Sequence, residues 1–198
     1  MPTDVQLIVA NLASFYDFRN KVVVHVGAGG GQLLGYVRSS LKVLAVDRDV
    51  SAVRRLEERI AEQALETKVS VITGDFCALD LRGDVVLLEF CLHEMPNPCL
   101  AIDHARKITP DVVVIDHLPE SKWAWYAAEE MDMARAWEAV AAARPRREES
   151  YQALQCFGDY GELQARLSDL GEESLRRISA LQESPAIAIP MPYRIALL

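Results

Sequence analysis

The sequence predicts an α/β fold with a mostly parallel sheet and helices on both faces. Three observations predict it. Short β-branched runs recur through the first 115 residues or so. Segments of helical spacing separate several of them. A glycine-rich turn follows the first run directly. Runs that are apolar almost throughout suit strands buried on both faces of a parallel sheet. Alternation of strand and helix then implies right-handed crossovers.

Each element follows in order. Residues 4–19 carry Val5, Ile8, Val9, Leu12 and Tyr16 at helical spacing, with Thr3 and Gln6 as a capping box. Five strands are expected, at Val22–Val26, Val43–Val46, Val69–Ile72, Val85–Leu88 and Val112–Ile115. The stretch holding Leu33, Leu34 and Val37 reads as a helix after the first strand. Val50–Ala64 reads as a second, with Val53, Leu56, Ile60 and Ala64 in one stripe. Beyond Asp116 the texture changes. Residues 120–143 read as one long helix, ended by Pro145 and the charged stretch Arg144–Glu149. Asp159–Leu170 reads as another helix, stopped by Gly171. Two strand-like pieces, Leu175–Leu181 and Ile187–Leu197, pair as an antiparallel hairpin. Pro190 and Pro192 put the second piece at an edge or a bulge.

The 198 residues fit one domain, with 51% hydrophobic residues to fill its core. An N-terminal helix covers 1–20, a ligand-binding half 21–118 and a second half 119–198. The formal net charge of −8 and a pI near 5.0 argue against a broad basic surface for nucleic acid. No apolar run approaches the ~20 residues of a membrane span. The start, Met1-Pro2-Thr3-Asp4, lacks the basic region of a signal peptide. The four cysteines form no Cys-x-x-Cys pair, which suits free thiols in the cytoplasm.

The first strand runs into Gly27-Ala28-Gly29-Gly30-Gly31. Strand, glycine turn and helix build a nucleotide-type site at the carboxyl ends of the strands. Asp47 ends the second strand, in Val46-Asp47-Arg48, where a carboxylate can accept from both ribose hydroxyls. Asp75 follows the third, in Gly74-Asp75-Phe76. It can accept from an adenine amino group while Phe76 offers an apolar face.

In these residues the sequence resembles the class I S-adenosylmethionine-dependent methyltransferases. The resemblance covers residues 21–118 well and the C-terminal hairpin more loosely. It implies a seven-stranded sheet with a C-terminal antiparallel hairpin. The family pattern at the first strand is acid-x-Gly-x-Gly-x-Gly; here His25 stands in place of the acid. In the family that acid helps hold the methionine end of the cofactor, and Glu89 is the group that could take over. The resemblance implies S-adenosylmethionine as cofactor. Its expected site is His25, Gly27, Ala28, Gly29, Gly31, Asp47, Arg48, Gly74, Asp75, Phe76 and Glu89. The dinucleotide pattern Gly-x-Gly-x-x-Gly fails at Gln32, so an NAD-dependent oxidoreductase is the weaker alternative.

Glu89–Pro98 holds Leu92-His93-Glu94-Met95-Pro96-Asn97-Pro98. This is similar to the Leu-His-x-x-x-(Asp/Asn)-Pro stretch of small-molecule methyltransferases of the quinone-biosynthesis type. The tetrad Asn/Asp-Pro-Pro-aromatic of amine-methylating enzymes is absent, which points to a small-molecule acceptor. His93, Glu94 and His117 are the candidate bases. Glu89, Asp116 and His117 match the metal positions of catechol-type enzymes only in part, and no metal is expected. His104 reads as a surface residue of a helix, and Cys91 and Cys99 as small hydrophobes. Trp123, Trp125, Tyr126 and Trp137 read as core packing, a homodimer face or a lid over the acceptor. His25 also motivates a second reading, a cofactor-binding scaffold without turnover.

Overall fold

The computed structural model describes residues 5–198. Thr3, half of the expected capping box, lies outside them. Helix α1 spans Val5–Phe15, and strands β1 Val22–Val26 and β2 Lys42–Asp47 follow. Helix α2 is Val50–Glu62, with β3 Val69–Thr73 and β4 Val85–Glu89 after it. Helix α3 (Pro98–Ile108) leads to β5 (Val112–His117), then α4 (Lys122–Ala127) and α5 (Glu130–Ala142). The rest comprises β6 Arg147–Tyr151, β7 Leu154–Phe157, α6 Tyr160–Leu167, α7 Glu172–Ile178, β8 Ile187–Pro190 and β9 Tyr193–Leu197.

Among the described residues a seven-stranded sheet has the order β3-β2-β1-β4-β5-β9-β6. Strands β1 to β5 are mutually parallel, and β9 runs antiparallel to both β5 and β6. The fold class therefore agrees with the sequence. The order reverses at β1, which lies between β2 and β4. That reversal opens a crevice at the carboxyl ends of the strands.

Alternate residues of the strands feed two cores. Val23, Val85, Leu87, Val113 and Ile115 face α1, Leu56 and Ile60 of α2, Trp123 and Leu163. Val24, Val86, Leu88, Val112 and Val114 face Ala101, Ile102 and Ala105 of α3 and Val140 of α5. Fully burying one Val, Leu or Ile is worth about 1.5–3 kcal/mol. This alternation fixes the register, because a one-residue slip exchanges the two faces. The register in turn fixes which side chains stand at the crevice.

Four expectations need correction. The stretch after the glycine turn forms one 3-10 turn, Leu34–Tyr36, and no α-helix. Helix α1 packs directly onto it: a Cβ on Gly35 would lie 2.5 Å from Val9 Cγ1. The expected helix over 120–143 is two helices. Ala128 takes the left-handed conformation at φ 60°, and its N–H and that of Glu129 bond back to the last turn of α4. This closure ends a helix without a proline. Leu175–Leu181 is not a strand but α7 and a 3-10 turn. Glu173 pairs with Arg176 and Arg177 at helical spacing, and Ser174 and Ile178 are buried one turn apart. The antiparallel partner of β9 is instead β6, inside the charged stretch expected to be a breaker. Its charges suit it because β6 is the sheet edge, where Arg147 stacks over Phe15 at 4.5 Å. The prolines fall at the end of β8 and just before β9, so β9 itself is an interior strand.

Candidate active site

A cleft of ≈ 300 Å³ opens where the sheet order reverses. Its floor and one wall come from Val26, Gly27, Asp47, Arg48, Gly74, Asp75 and Phe76. The other wall comes from the β4–α3 loop and α3, with Cys91, Glu94, Met95, Asn97 and Leu100. Gly27 has φ 72°, and a Cβ there would lie 2.5 Å from Cys91 Cβ and 2.7 Å from the Glu89 carbonyl oxygen. Only glycine lets the turn lie this close to the neighbouring strand end. Asp47 accepts from Gly29 N–H at 2.7 Å and from Asp49 N–H at 2.9 Å, which ties the glycine turn to β2. Asp75 caps the next 3-10 turn through Cys77 N–H at 3.0 Å. Arg48 and Glu94 approach to 3.9 Å, both well exposed, an ion pair worth little.

Not every expected residue lines this cleft. His25, Ala28, Gly29, Gly31 and Glu89 are not on its walls. Gly31 serves packing: a Cβ there would lie 2.9 Å from Leu56 Cδ1. The Phe76 ring is buried, edge-on to His104 at 4.8 Å. His104 is half-buried, and its Nε2 also bonds the Leu79 carbonyl at 3.1 Å.

His25 is fully buried. Its Nδ1 meets the Tyr36 hydroxyl at 2.8 Å and its Nε2 meets the Glu89 carboxylate. Burial holds the Tyr36 phenol well above its ordinary pKa, so it remains a donor. The phenol O–H donates a hydrogen bond to Nδ1, and Nε2–H donates to Glu89. A carboxylate thus stands at the end of the adjacent β4, held by His25, whose ring Tyr36 in turn fixes.

A second constellation stands at the ends of β4 and β5. Asp116 is buried and receives three donors. His93 Nδ1–H reaches both carboxylate oxygens at 2.9 Å, His117 N–H donates at 2.9 Å and His93 N–H at 3.3 Å. The His93 ring is thereby fixed, with Nε2 4.0 Å from both Glu94 Oε1 and Glu129 Oε2. Burial lowers the His93 pKa, but Asp116, then Glu129 and Glu94, outweigh it and hold it up at about 9. Burial lifts Glu129 to about 7, against the pull of His93. His117 is pushed down to about 4, chiefly by burial, and stays neutral. Its ring stacks on Phe90 at 4.6 Å, and its Nδ1 is buried without a partner. Phe90 itself has φ 43°, a strained turn that swings the 90–97 loop across the strand ends. Because Glu94 belongs to the cleft wall, this constellation adjoins the cleft. Among the described residues, no group of three His, Cys, Asp or Glu side chains is arranged to hold a metal ion.

Residues 24–112 match the family model described as a methyltransferase domain. Over this stretch the chain is matched as a methyltransferase domain. Solved structures have the same fold. The YcgJ protein of Bacillus subtilis is 13% identical with a TM-score of 0.71, covering 97% of this chain and 98% of its own. A putative methyltransferase of Bacillus halodurans is 17% identical with a TM-score of 0.65, covering 96% of each. A SAM-dependent methyltransferase of Aquifex aeolicus is 16% identical with a TM-score of 0.61, covering 100% and 98%. No curated protein matches the sequence.

S-adenosylmethionine is the cofactor this methyltransferase domain implies. The cleft fits it: two carboxylates, Asp47 and Asp75, stand along a mostly apolar groove whose floor admits no Cβ at Gly27. Three residues of these buried constellations escape the sequence reading. Tyr36 follows the glycine turn with no motif around it. Asp116 shows in the sequence only as a partial metal match, not as the partner of His93. Glu129 depends on the left-handed turn at Ala128, which no residue type announces. The described residues include no helix long and apolar enough to cross a membrane.

Proposed function

We propose that the chain transfers the methyl group of S-adenosylmethionine to a small-molecule acceptor. One observation carries this reading: Gly27, Asp47 and Asp75, at the ends of three strands, surround one cleft, and the Asp116–His93 pair adjoins it. In this reading Asp47 accepts from the ribose hydroxyls and Asp75 from the adenine amino group. Glu89, steadied by His25, supplies the negative charge for the ammonium end. The cofactor brings a methyl group on a cationic sulfur, which leaves as a neutral thioether. The protein mainly has to align acceptor, methyl carbon and sulfur. His93 and its acidic neighbours form the acceptor side. A net charge of −8 and the missing amine-methylation tetrad favour a small molecule over nucleic acid. The four free thiols suit the cytoplasm.

His25 favours a second reading, a cofactor-binding protein without turnover, because the ring in the acid's place is spent on Tyr36 and Glu89. A screen of small acceptors with radiolabelled S-adenosylmethionine separates the two. The proposed activity predicts label transferred to at least one compound. Tight cofactor binding with no labelled product across the screen supports the scaffold instead.

A further inference from the structure

His93 and Glu129 face each other across a distance that one bridging atom, set to the side, can span. Their facing atoms, Nε2 and Oε2, are 4.0 Å apart, too far to bond directly. A single oxygen can sit about 2.8 Å from both at once. The two facing atoms also differ in kind. His93 Nδ1 is committed to Asp116, so Nε2 is the nitrogen left for a ligand. Glu129 Oε2 is an acceptor. Whatever fills the gap must accept on one side and donate on the other.

This requirement separates the nucleophiles. A hydroxyl oxygen has two lone pairs and a proton. It can accept from His93, donate to Glu129 and still offer a lone pair to the methyl carbon. A neutral amine has one lone pair, and accepting from His93 removes it from the reaction. A thiol is weak in both roles, and a carbon nucleophile fills neither. Glu94 is equally distant from His93, but its side chain is 54% exposed and turned toward Arg48. Glu129 is only 19% exposed. The closure at Ala128 and Glu129 seats it at the start of α5, beside the end of β5.

Resting on the methyl-transfer reading above, we propose that the acceptor is a hydroxyl compound methylated on oxygen, with Glu129 as the residue that takes its proton. The bond formed joins the acceptor oxygen to the methyl carbon. The bond broken is sulfur to methyl, and its electron pair stays on sulfur. The hydroxyl proton passes to Glu129 Oε2, while His93 keeps its protons and steadies the oxygen. The charged and titratable groups facing Glu129 are His93, Glu94, Asp116 and Arg166. Between them and its burial they keep its carboxyl near pH 7, where a base both gains and releases protons readily.

Three matched probes test this: naphthol, naphthylamine and naphthalenethiol with the same ring position. Their binding is read by tryptophan fluorescence with S-adenosylhomocysteine bound. Their products are read after incubation with S-adenosylmethionine. Naphthol should bind about tenfold tighter than the other two, the worth of one charge-assisted hydrogen bond. The methyl group should appear on oxygen. Glu129→Ala should erase the binding preference. Glu129→Gln keeps an acceptor but takes no proton. It should retain the preference and lower transfer by about a hundredfold. Equal binding of the three probes, a methylated amine or thiol as main product, or full transfer by Glu129→Gln overturns the proposal. Failure of S-adenosylhomocysteine to bind the wild-type chain overturns the proposed function instead.

Discussion

His25, Tyr36 and Glu89 form a buried chain of hydrogen bonds in which each partner has one role. Removing the Tyr36 hydroxyl leaves Nδ1 of a fully buried ring without a donor. Tyr36→Phe should therefore cost about 1–3 kcal/mol in urea unfolding, more than the loss of an exposed hydrogen bond. An unchanged midpoint would show that the chain is not structural. Gly27 is constrained differently, by contact and by backbone. Gly27→Ala must push Cys91 or Glu89 aside at φ 72°, and should cost about 1–3 kcal/mol from overpacking. Chemical denaturation reads this directly, and wild-type stability would contradict the packing described. His93 supplies a pH signature. Its folded pKa, about 9, lies above the ordinary histidine value, so the folded state binds its proton more tightly. That stability is complete below about pH 6.5 and is lost as the pH rises through about 9. Glu129, raised to about 7, acts in the same direction between its ordinary value and 7. His117, lowered to about 4, acts in the opposite direction at acid pH. The melting temperature should thus fall between about pH 7 and 9 in the wild type, and much less in His93→Gln. An equal fall in both would remove His93 as the cause.

At the scale of elements, the break between α4 and α5 is the feature with most consequence. Ala128 pays for a left-handed conformation that glycine adopts freely. Ala128→Gly should stabilise the chain by about 0.5–1 kcal/mol in thermal unfolding while leaving the fold unchanged. Destabilisation would mean the alanine methyl makes a contact that outweighs its backbone strain. The same element marks where the sequence stops being legible. The five parallel strands are readable because each holds a short apolar run, most of it buried in every strand but the edge strand β3. The helix α2 was readable from one apolar stripe. The second half resists such reading because its periods are ambiguous. Leu175, Ile178 and Leu181 are three apart and sit on helical turns, yet so short a segment, Leu-Arg-Arg-Ile-Ser-Ala-Leu, reads equally as a strand. Strand β6 is charged because it is an edge, so apolar runs cannot reveal it. That Gly27, Asp47 and Asp75 stand at one cleft is legible because each follows directly after a strand. The pairing of His93 with Asp116 and Glu129 was not, since those residues are brought together only by the crossovers.

For the whole molecule, the sheet order β3-β2-β1-β4-β5-β9-β6 converts five strand ends into one functional edge. The cleft with Asp47 and Asp75 takes the β1–β3 side of that edge, and the His93 constellation takes the β4–β5 side. Methyl transfer by this chain requires the first of these to be a cofactor site. Calorimetry with S-adenosylhomocysteine on the wild-type chain and on Asp47→Asn tests it most directly. One site per chain is expected in the wild type. The Asn variant should bind about ten- to a hundredfold more weakly, the worth of a charge-assisted hydrogen bond. No binding by the wild type at ligand concentrations of about 1 mM, or equal affinity in the two proteins, would contradict the account.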